Sequence, residues 1–321
     1  MDKRTKIWLI VAASLLVSGC LIFGGVMTML KWDFSRLSTV KFETNDYVIT
    51  EGYKDISIET DTADIKFLPA EDGQSKVVCY EQKDIAHSVE VVDGTLVIRL
   101  VDTRKWYQYI GINFASPTIT VCLPEAEYGT LLINESTGDV NLPNNFSFES
   151  IGITVSTGDI ESYASASKDI KIKTSTGDIR VEKVLADAID LSVSTGKVIL
   201  SDTACEGEVK VGVSTGKAKL TDIKCKNLTS SGNTGDISLK NVVAAEKLSI
   251  VRSTGGVDLE KCDAAEIFIE TDTGDVKGSL LSDKVFIANT DTGRIDVPKT
   301  TTGGKCEITT DTGDIRIDVA D

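Results

Sequence analysis

The sequence predicts an all-β fold, a parallel β-solenoid (β-helix-like) of about ten 19–20 residue rungs, preceded by one N-terminal transmembrane helix. Three observations predict it. A Thr-Gly pair returns ten times between Leu131 and Val319, at steps of 19 or 20 residues. Apolar and polar residues alternate on both sides of each pair. Residues 7–30 carry no charge.

Residues 1–6 read as a cytoplasmic tail and residues 7–30 as a transmembrane anchor, because 24 uncharged residues are long enough to cross a bilayer core with some tilt. Lys3, Arg4 and Lys6 precede the span and a long acidic region follows it, so the positive-inside rule places the N-terminus in the cytoplasm and the C-terminal domain outside. Trp8 and Trp32 flank the span as interface anchors. A rival reading is a cleaved lipoprotein signal ending at Leu16-Val17-Ser18-Gly19-Cys20. The chain, however, stays apolar for ten more residues, Leu21 to Leu30, and this favours an uncleaved anchor.

The whole chain has 49 acidic and 34 basic residues, a net charge of −15. Residues 1–32 carry a balance of +3, so the remainder is more acidic still, at −18. Such a surface repels nucleic acid and anionic head groups and favours cations or basic partners.

Residues 31–46 read as a linker and residues 47–130 as an irregular β cap region. Within the cap, Glu59 to Ile65 is a degenerate copy of the later Glu270 to Val276, so a first rung is expected there. Val77 to Glu81 and Val89 to Val101 read as further strands, the latter with an Asp93-Gly94 turn. The aromatic cluster Trp106, Tyr107, Tyr109 and Phe114 is expected to plug the membrane-proximal end, since a solenoid needs a cap, the alternative being an exposed binding or membrane-surface patch.

Residues 131–321 are the repeats. Their corner residues are Thr137-Gly138, Thr157-Gly158, Thr176-Gly177, Thr195-Gly196, Thr215-Gly216, Thr234-Gly235, Thr254-Gly255, Thr273-Gly274, Thr292-Gly293 and Thr312-Gly313. Seven residues before each glycine the side chain is apolar in all ten copies, from Leu131 to Cys306; five before, Ser230 is the one polar exception. After the glycine the apolar positions fall two and four residues on, so the alternation slips by one at the corner. A slip of one sends side chains to the opposite face unless the backbone bends. Each glycine is therefore expected to be the corner, either a bulge or a residue at positive φ where a Cβ would clash. Rungs this short cannot bury their own apolar face, so they stack at about 4.8 Å per rung into a rod of roughly 45–50 Å.

The run Ile119-Thr120-Val121-Cys122-Leu123-Pro124, then Leu131-Leu132-Ile133 and Ser136-Thr137-Gly138-Asp139-Val140, resembles the entry into the bacterial “putative adhesin” β-strand-repeat family, a toast-rack domain of unknown function. The resemblance covers roughly residues 47–319. It implies a cell-envelope β-solenoid behind a membrane anchor, with adhesin or envelope-stress roles, and it brings no catalytic residues with it.

No catalytic, cofactor or metal constellation emerges from the side chains. Thr-x-Thr pairs such as Thr174/Thr176, Thr271/Thr273, Thr290/Thr292 and Thr310/Thr312 share the parity of the aliphatics, so both members are expected inside as a structural ladder. Asp272, Asp291 and Asp311 should stack on three successive rungs, with Asp275 and Asp314 beyond the glycine; corner hydrogen bonding is expected there, calcium being the alternative. His87 has no Ser-His-Asp partner by spacing and reads as a loop residue. Cys205 and Cys225 both lie nine residues past a corner glycine, one rung apart, within reach of a disulfide. Ser230, Gly232 and Arg252 break the inward pattern; Arg252 is expected to reach solvent along its stem. The final rung ends two residues before the C-terminus, which leaves its strand edges open.

The function expected is a membrane-anchored, non-enzymatic envelope module, adhesin-like or accessory to stress signalling, with a protein or cell-wall partner and no cofactor. The alternatives are a carbohydrate-active β-helix enzyme and a calcium-stabilised scaffold.

Overall fold

The computed structural model describes residues 2–33, 41–104 and 115–320. The aromatic cluster at 106–114 and residues 34–40 of the linker lie outside the described residues. Helix α1, Lys3–Met29, is apolar enough to cross a membrane, at a mean hydropathy of 2.4. It ends where Lys31 and Trp32 enter the left-handed region at φ 55° and 59°.

The rest is β-structure. The cap contains β1 (Phe42–Ile49), β2 (Asp55–Thr62), β3 (Asp64–Pro69), β4 (Ser75–Gln82), β5 (Ile85–Val92), β6 (Thr95–Asp102) and β7 (Thr118–Leu123). The body runs through β8 (Glu127–Thr137), β9 (Val140–Leu142), β10 (Ser147–Thr157), β11 (Ile160–Ser162), β12 (Ser165–Thr176), β13 (Ile179–Glu182), β14 (Leu185–Ala186), β15 (Ala188–Cys205), β16 (Glu208–Thr234), β17 (Ile237–Thr254) and β18 (Val257–Thr273). The tip contains β19 (Val276–Leu280), β20 (Lys284–Thr292), β21 (Ile295–Asp296), β22 (Gly304–Thr312) and β23 (Ile315–Val319).

Successive rungs pair in parallel with equivalent residues in register. Leu131, Ile151, Ile170, Ile189 and Val209 lie in one line on the face before the corner. Val140, Ile160, Ile179, Val198 and Ala218 form the corresponding line after it. These side chains are at most 2 % exposed, so each aliphatic contributes roughly 1.5–3 kcal/mol of burial. The core is one continuous column.

Two bends shape a rung. Nine of the ten corner glycines have φ between 122° and 158°; Gly293 is the exception. At Gly216 a Cβ would collide with the carbonyl oxygen of Gly196 on the rung before. Six residues past the glycine a second bend recurs that the sequence pattern leaves as a loose turn. Lys183, Asp202, Asp222, Asn241 and Lys261 stack there with φ between 52° and 57°. Asp and Asn tolerate that region best, and the two lysines adopt it inside an otherwise fixed register.

Sequence order and spatial order part company at both ends. In the cap, β2 pairs in parallel with β8 on one side and with β6 on the other, while β3 lies between β7 and β9. The degenerate first rung is thus an inner rung, covered by later chain. Antiparallel partners then finish each face, β5 on β6 and β4 on β7, with β1 outside β4.

At the tip the last rung does not come last. β22 pairs with β18 on one side and β20 on the other, and β23 lies between β19 and β21. The expectation of an open edge on the C-terminal rung is therefore corrected. Cys306 and Ile308 are at most 1 % exposed because the earlier rung, β20–β21, covers them. Lys284, itself 3 % exposed, ties that outer rung back to Asp263 at 2.6 Å.

Candidate functional site

The corners are built from backbone ladders. Gly138, Gly158 and Gly177 donate their N–H groups to the carbonyls of Thr157, Thr176 and Thr195 on the following rung, at 2.9–3.1 Å. Beside this ladder runs one of carboxylates. Asp64, Asp139 and Asp159 each accept the backbone N–H of the equivalent residue on the next rung, namely Asp139, Asp159 and Asp178, at 2.7–3.2 Å. Asp178 accepts from Lys197, and at the tip Asp275 and Asp314 do the same for Asp314 and Arg294. An anion accepting an N–H needs no cation to keep it beside its neighbours.

The threonine pairs divide. Thr174, Thr271 and Thr310 are buried, their hydroxyls donating to the carbonyls of Gly158, Gly255 and Gly274, and half-buried Thr290 donates to Gly313. Their partners Thr176, Thr273, Thr292 and Thr312 are exposed, as are the corner threonines Thr137, Thr157, Thr195, Thr215, Thr234 and Thr254. The expectation that both members lie inside is corrected: two successive residues before the glycine, as Ser175 and Thr176, are exposed, so the alternation is already broken at the threonine.

The densest polar cluster sits inside the cap. His87 is 3 % exposed on β5, a strand residue and not the loop residue that spacing suggests. Its Nδ1 lies 2.6 Å from Glu81 Oε2 and its Nε2 2.8 Å from the Thr60 hydroxyl. Glu81 also accepts the His87 backbone N–H at 2.8 Å and the Asn45 amide at 2.7 Å. Facing a carboxylate, a neutral His87 carries its proton on Nδ1 and accepts from Thr60 at Nε2.

This order, hydroxyl to imidazole to carboxylate, is the relay that activates a nucleophile. A cavity of about 200 Å³ lies against it, lined by Asp61, Thr62, His87, Leu100, Asp102 and Pro117. Thr60, the hydroxyl of the relay, does not line that cavity. Cys79, Glu81 and His87 also bring ligand atoms within 4.8 Å of one another, all buried. Burial pushes the Cys79 thiol up to about 12, and Glu81 already has three donors. A metal ion would have to break the His87–Glu81 bond to enter.

Spacing along the chain does not show this relay, although the alternation carries a signal for it. Glu81 shares the inward parity of Val77 and Cys79, and an inward carboxylate demands a partner. Glu135 sits likewise on the inward parity of Leu131 and Ile133, in register with Thr60. Burial pushes its carboxyl up to about 8; Oε1 accepts from Ala63 N–H at 3.2 Å and Oε2 has no partner among the described residues.

Mid-rod, Arg252 is 1 % exposed and does not reach solvent, which corrects the snorkelling expectation. Its guanidinium fills the space that Gly232 leaves beside it, donating to Ser230 Oγ at 3.1 Å and to the Val213 carbonyl at 3.4 Å. Nε has no acceptor among the described residues, and burial lowers the pKa of the group. Cys205 and Cys225, on adjacent rungs, are both buried free thiols.

With the corner ladders and stacked register established, residues 53–213 and 205–321 match the Toastrack DUF4097 family. The chain belongs to the Toastrack DUF4097 family. Among solved structures this Toastrack chain is similar to a “putative adhesin” from Bacteroides fragilis, 18 % identical over 87 % of this chain and 97 % of that one, with a TM-score of 0.41. Two structures from Parabacteroides distasonis have TM-scores of 0.49. One is a “putative lipid binding protein”, 16 % identical over 75 % of this chain and 95 % of that one. The other is a “putative adhesin”, 12 % identical over 85 % and 98 % respectively. No curated protein matches the sequence.

Proposed function

We propose that this Toastrack chain is a single-pass membrane protein whose β-rod stands outside the cytoplasm and acts as a non-enzymatic interaction module of the cell envelope, adhesin-like or accessory to envelope-stress signalling. The observation that carries it is α1. Its apolar residues, Leu15, Leu16, Leu21 and Ile22 among them, are 68–71 % exposed, a surface that lipid satisfies and water does not. The helix is joined to the cap end of the rod, so the opposite end points away from the membrane. The regular rung faces support the module reading: outward charges pair across rungs, as in Lys240–Glu260 at 2.7 Å and Lys277–Asp258 at 3.3 Å, which makes a solvated face.

The test is topology followed by partners. An impermeant thiol reagent on intact cells is expected to label a cysteine placed at exposed Val251 and to spare one placed at Asp2; the reverse pattern overturns the orientation. Crosslinking from native membranes, with residues 7–30 kept or exchanged for an unrelated span, then divides the role. Partners that vanish on exchange mark a subunit of a membrane complex. Partners that persist mark the rod as the binding surface.

A further inference from the structure

The end of the rod farthest from α1 is unfinished. Among the described residues β20 pairs with one strand only, β22, and β21 only with β23; at the start of β20 the Lys284 carbonyl also accepts from the Thr300 hydroxyl. The inward side chains of this rung have no rung above them: Ile295 is 46 % exposed, and Phe286, Ala288 and Val297 are only partly buried. Val285 and Ile287, on the outer side, are 38 % and 51 % exposed. From Val285 to Thr290 the strand carries no charge. β20 carries its charges only towards its ends, Lys284 and Asp291, whereas the outer strand of the cap, β1, has Asp46 in its middle as well as Glu43 near one end, the usual device against edge-to-edge pairing. The outer rung also differs from the protein in charge. Residues 283–303 contain Asp283, Asp291 and Asp296 against Lys284, Arg294 and Lys299, and are neutral in a chain of net −15.

We propose that this rung docks a second copy of the same chain, tip to tip, with the two β20 strands antiparallel about a two-fold axis. A free ladder edge is completed by an extended strand. Here the cover must also close the exposed core beneath Phe286 and Ile295, and a second solenoid end presents a core of the same cross-section. In any antiparallel register centred on a residue, inward positions meet inward positions, so Phe286 and Ala288 face their counterparts across the join and the core runs through. An isologous contact of this kind closes on itself and stops at a dimer. The local neutrality removes the repulsion that two surfaces of net −15 chains would otherwise meet. Resting on the membrane reading above, the same geometry places the two anchors at opposite ends of a doubled rod, so the contact joins two membranes.

The experiment uses the full chain carrying Cys20→Ser, in detergent and in lipid nanodiscs. Sedimentation over a concentration series is expected to show a dimer that Val285→Lys and Ile287→Lys each weaken by about ten-fold or more. Both side chains are exposed, so far-UV circular dichroism stays unchanged. Ile287→Cys is expected to crosslink two copies under mild oxidation, whereas Glu43→Cys is not. A chain that stays monomeric at every concentration, or a dimer indifferent to the lysine variants, overturns the proposal and leaves the edge to a different protein's strand. In nanodiscs the dimer is expected to carry two discs. If the chain fails to load into discs while the detergent dimer persists, the anchor reading has failed and the tip contact has not.

Discussion

His87 Nδ1 and Glu81 Oε2 lie 2.6 Å apart with both side chains at most 2 % exposed, so neither partner can be removed without stranding the other inside the cap. Glu81→Ala leaves an imidazole and two N–H donors without their acceptor, and the expected cost is about 1–3 kcal/mol for each stranded donor. Because a stacked rod unfolds rung by rung, the loss belongs to the cap and not to the whole chain. Hydrogen exchange is the measurement. Amides of β4, β5 and β6 should lose protection in Glu81→Ala while those of β16 and β17 keep theirs.

Glu135 makes the same region sensitive to pH in a definite direction. Its carboxyl is pushed up to about 8 by burial, against 4.5 when unfolded. The folded state holds the proton more tightly, so this group's contribution is complete below about pH 4.5 and is lost as pH rises towards 8. Glu135→Gln cannot ionise. Its denaturation midpoint should match the parent at pH 4.5 and exceed it at pH 8, by a margin on the order of a few kcal/mol. A constant difference across that range would remove burial as the cause.

Arg252 is a charge inside an aliphatic column with two acceptors for its five N–H groups among the described residues. Replacing buried charges by apolar residues of similar size is often neutral or stabilising by about 1–4 kcal/mol. Arg252→Met is therefore expected to be no less stable than the parent. Ser230→Ala should destabilise the parent by about 1–3 kcal/mol, since it withdraws an acceptor, and should do so far less in the R252M background. Additive effects in this double-mutant cycle would mean that the Ser230–Arg252 bond contributes nothing.

The carboxylate ladder separates hydrogen bonding from ion binding. Asp159 Oδ1 accepts the Asp178 N–H at 2.7 Å, an acceptor that Asn keeps and Ala removes. Asp159→Ala should therefore lower the melting temperature, by about 1 kcal/mol in stability, and Asp159→Asn should not. Millimolar calcium or a chelator should leave the parent unchanged. A calcium-dependent rise lost in both variants would return the ladder to a cation site.

The solenoid was legible because it depends on local alternation repeated in register, and ten copies average out exceptions such as Ser230. What stayed illegible was decided by pairing over long sequence distances. Nothing local tells β22 to enter between β18 and β20, since all the tip rungs share one pattern and any could stack on any. The His87 relay likewise joins three cap strands, and spacing is silent about strands that meet only after the chain folds back over β2. Arg252 was visible as an inward charge; that it stays inside depends on Gly232, one rung away, leaving the space.

The corner glycines set the sharpest test of the repeat itself. Gly216 has φ 138°, and an added Cβ would strike the Gly196 carbonyl oxygen, a backbone atom held by its own ladder. Strain of this kind costs of order 1–3 kcal/mol before the collision is counted, so Gly216→Ala should destabilise by at least that much. Gly293 lacks the positive φ, but its Cβ would meet the Gly313 carbonyl, so there the collision acts without the strain. Gly52→Ala, with no heavy atom within 4 Å of its Cβ, is the control and should stay within about 0.5 kcal/mol of the parent. Urea unfolding followed by circular dichroism should rank the losses Gly216 above Gly293 above Gly52. If Gly293→Ala equals Gly216→Ala, the packing of rung on rung, and not the backbone bend, is what reserves the corner for glycine.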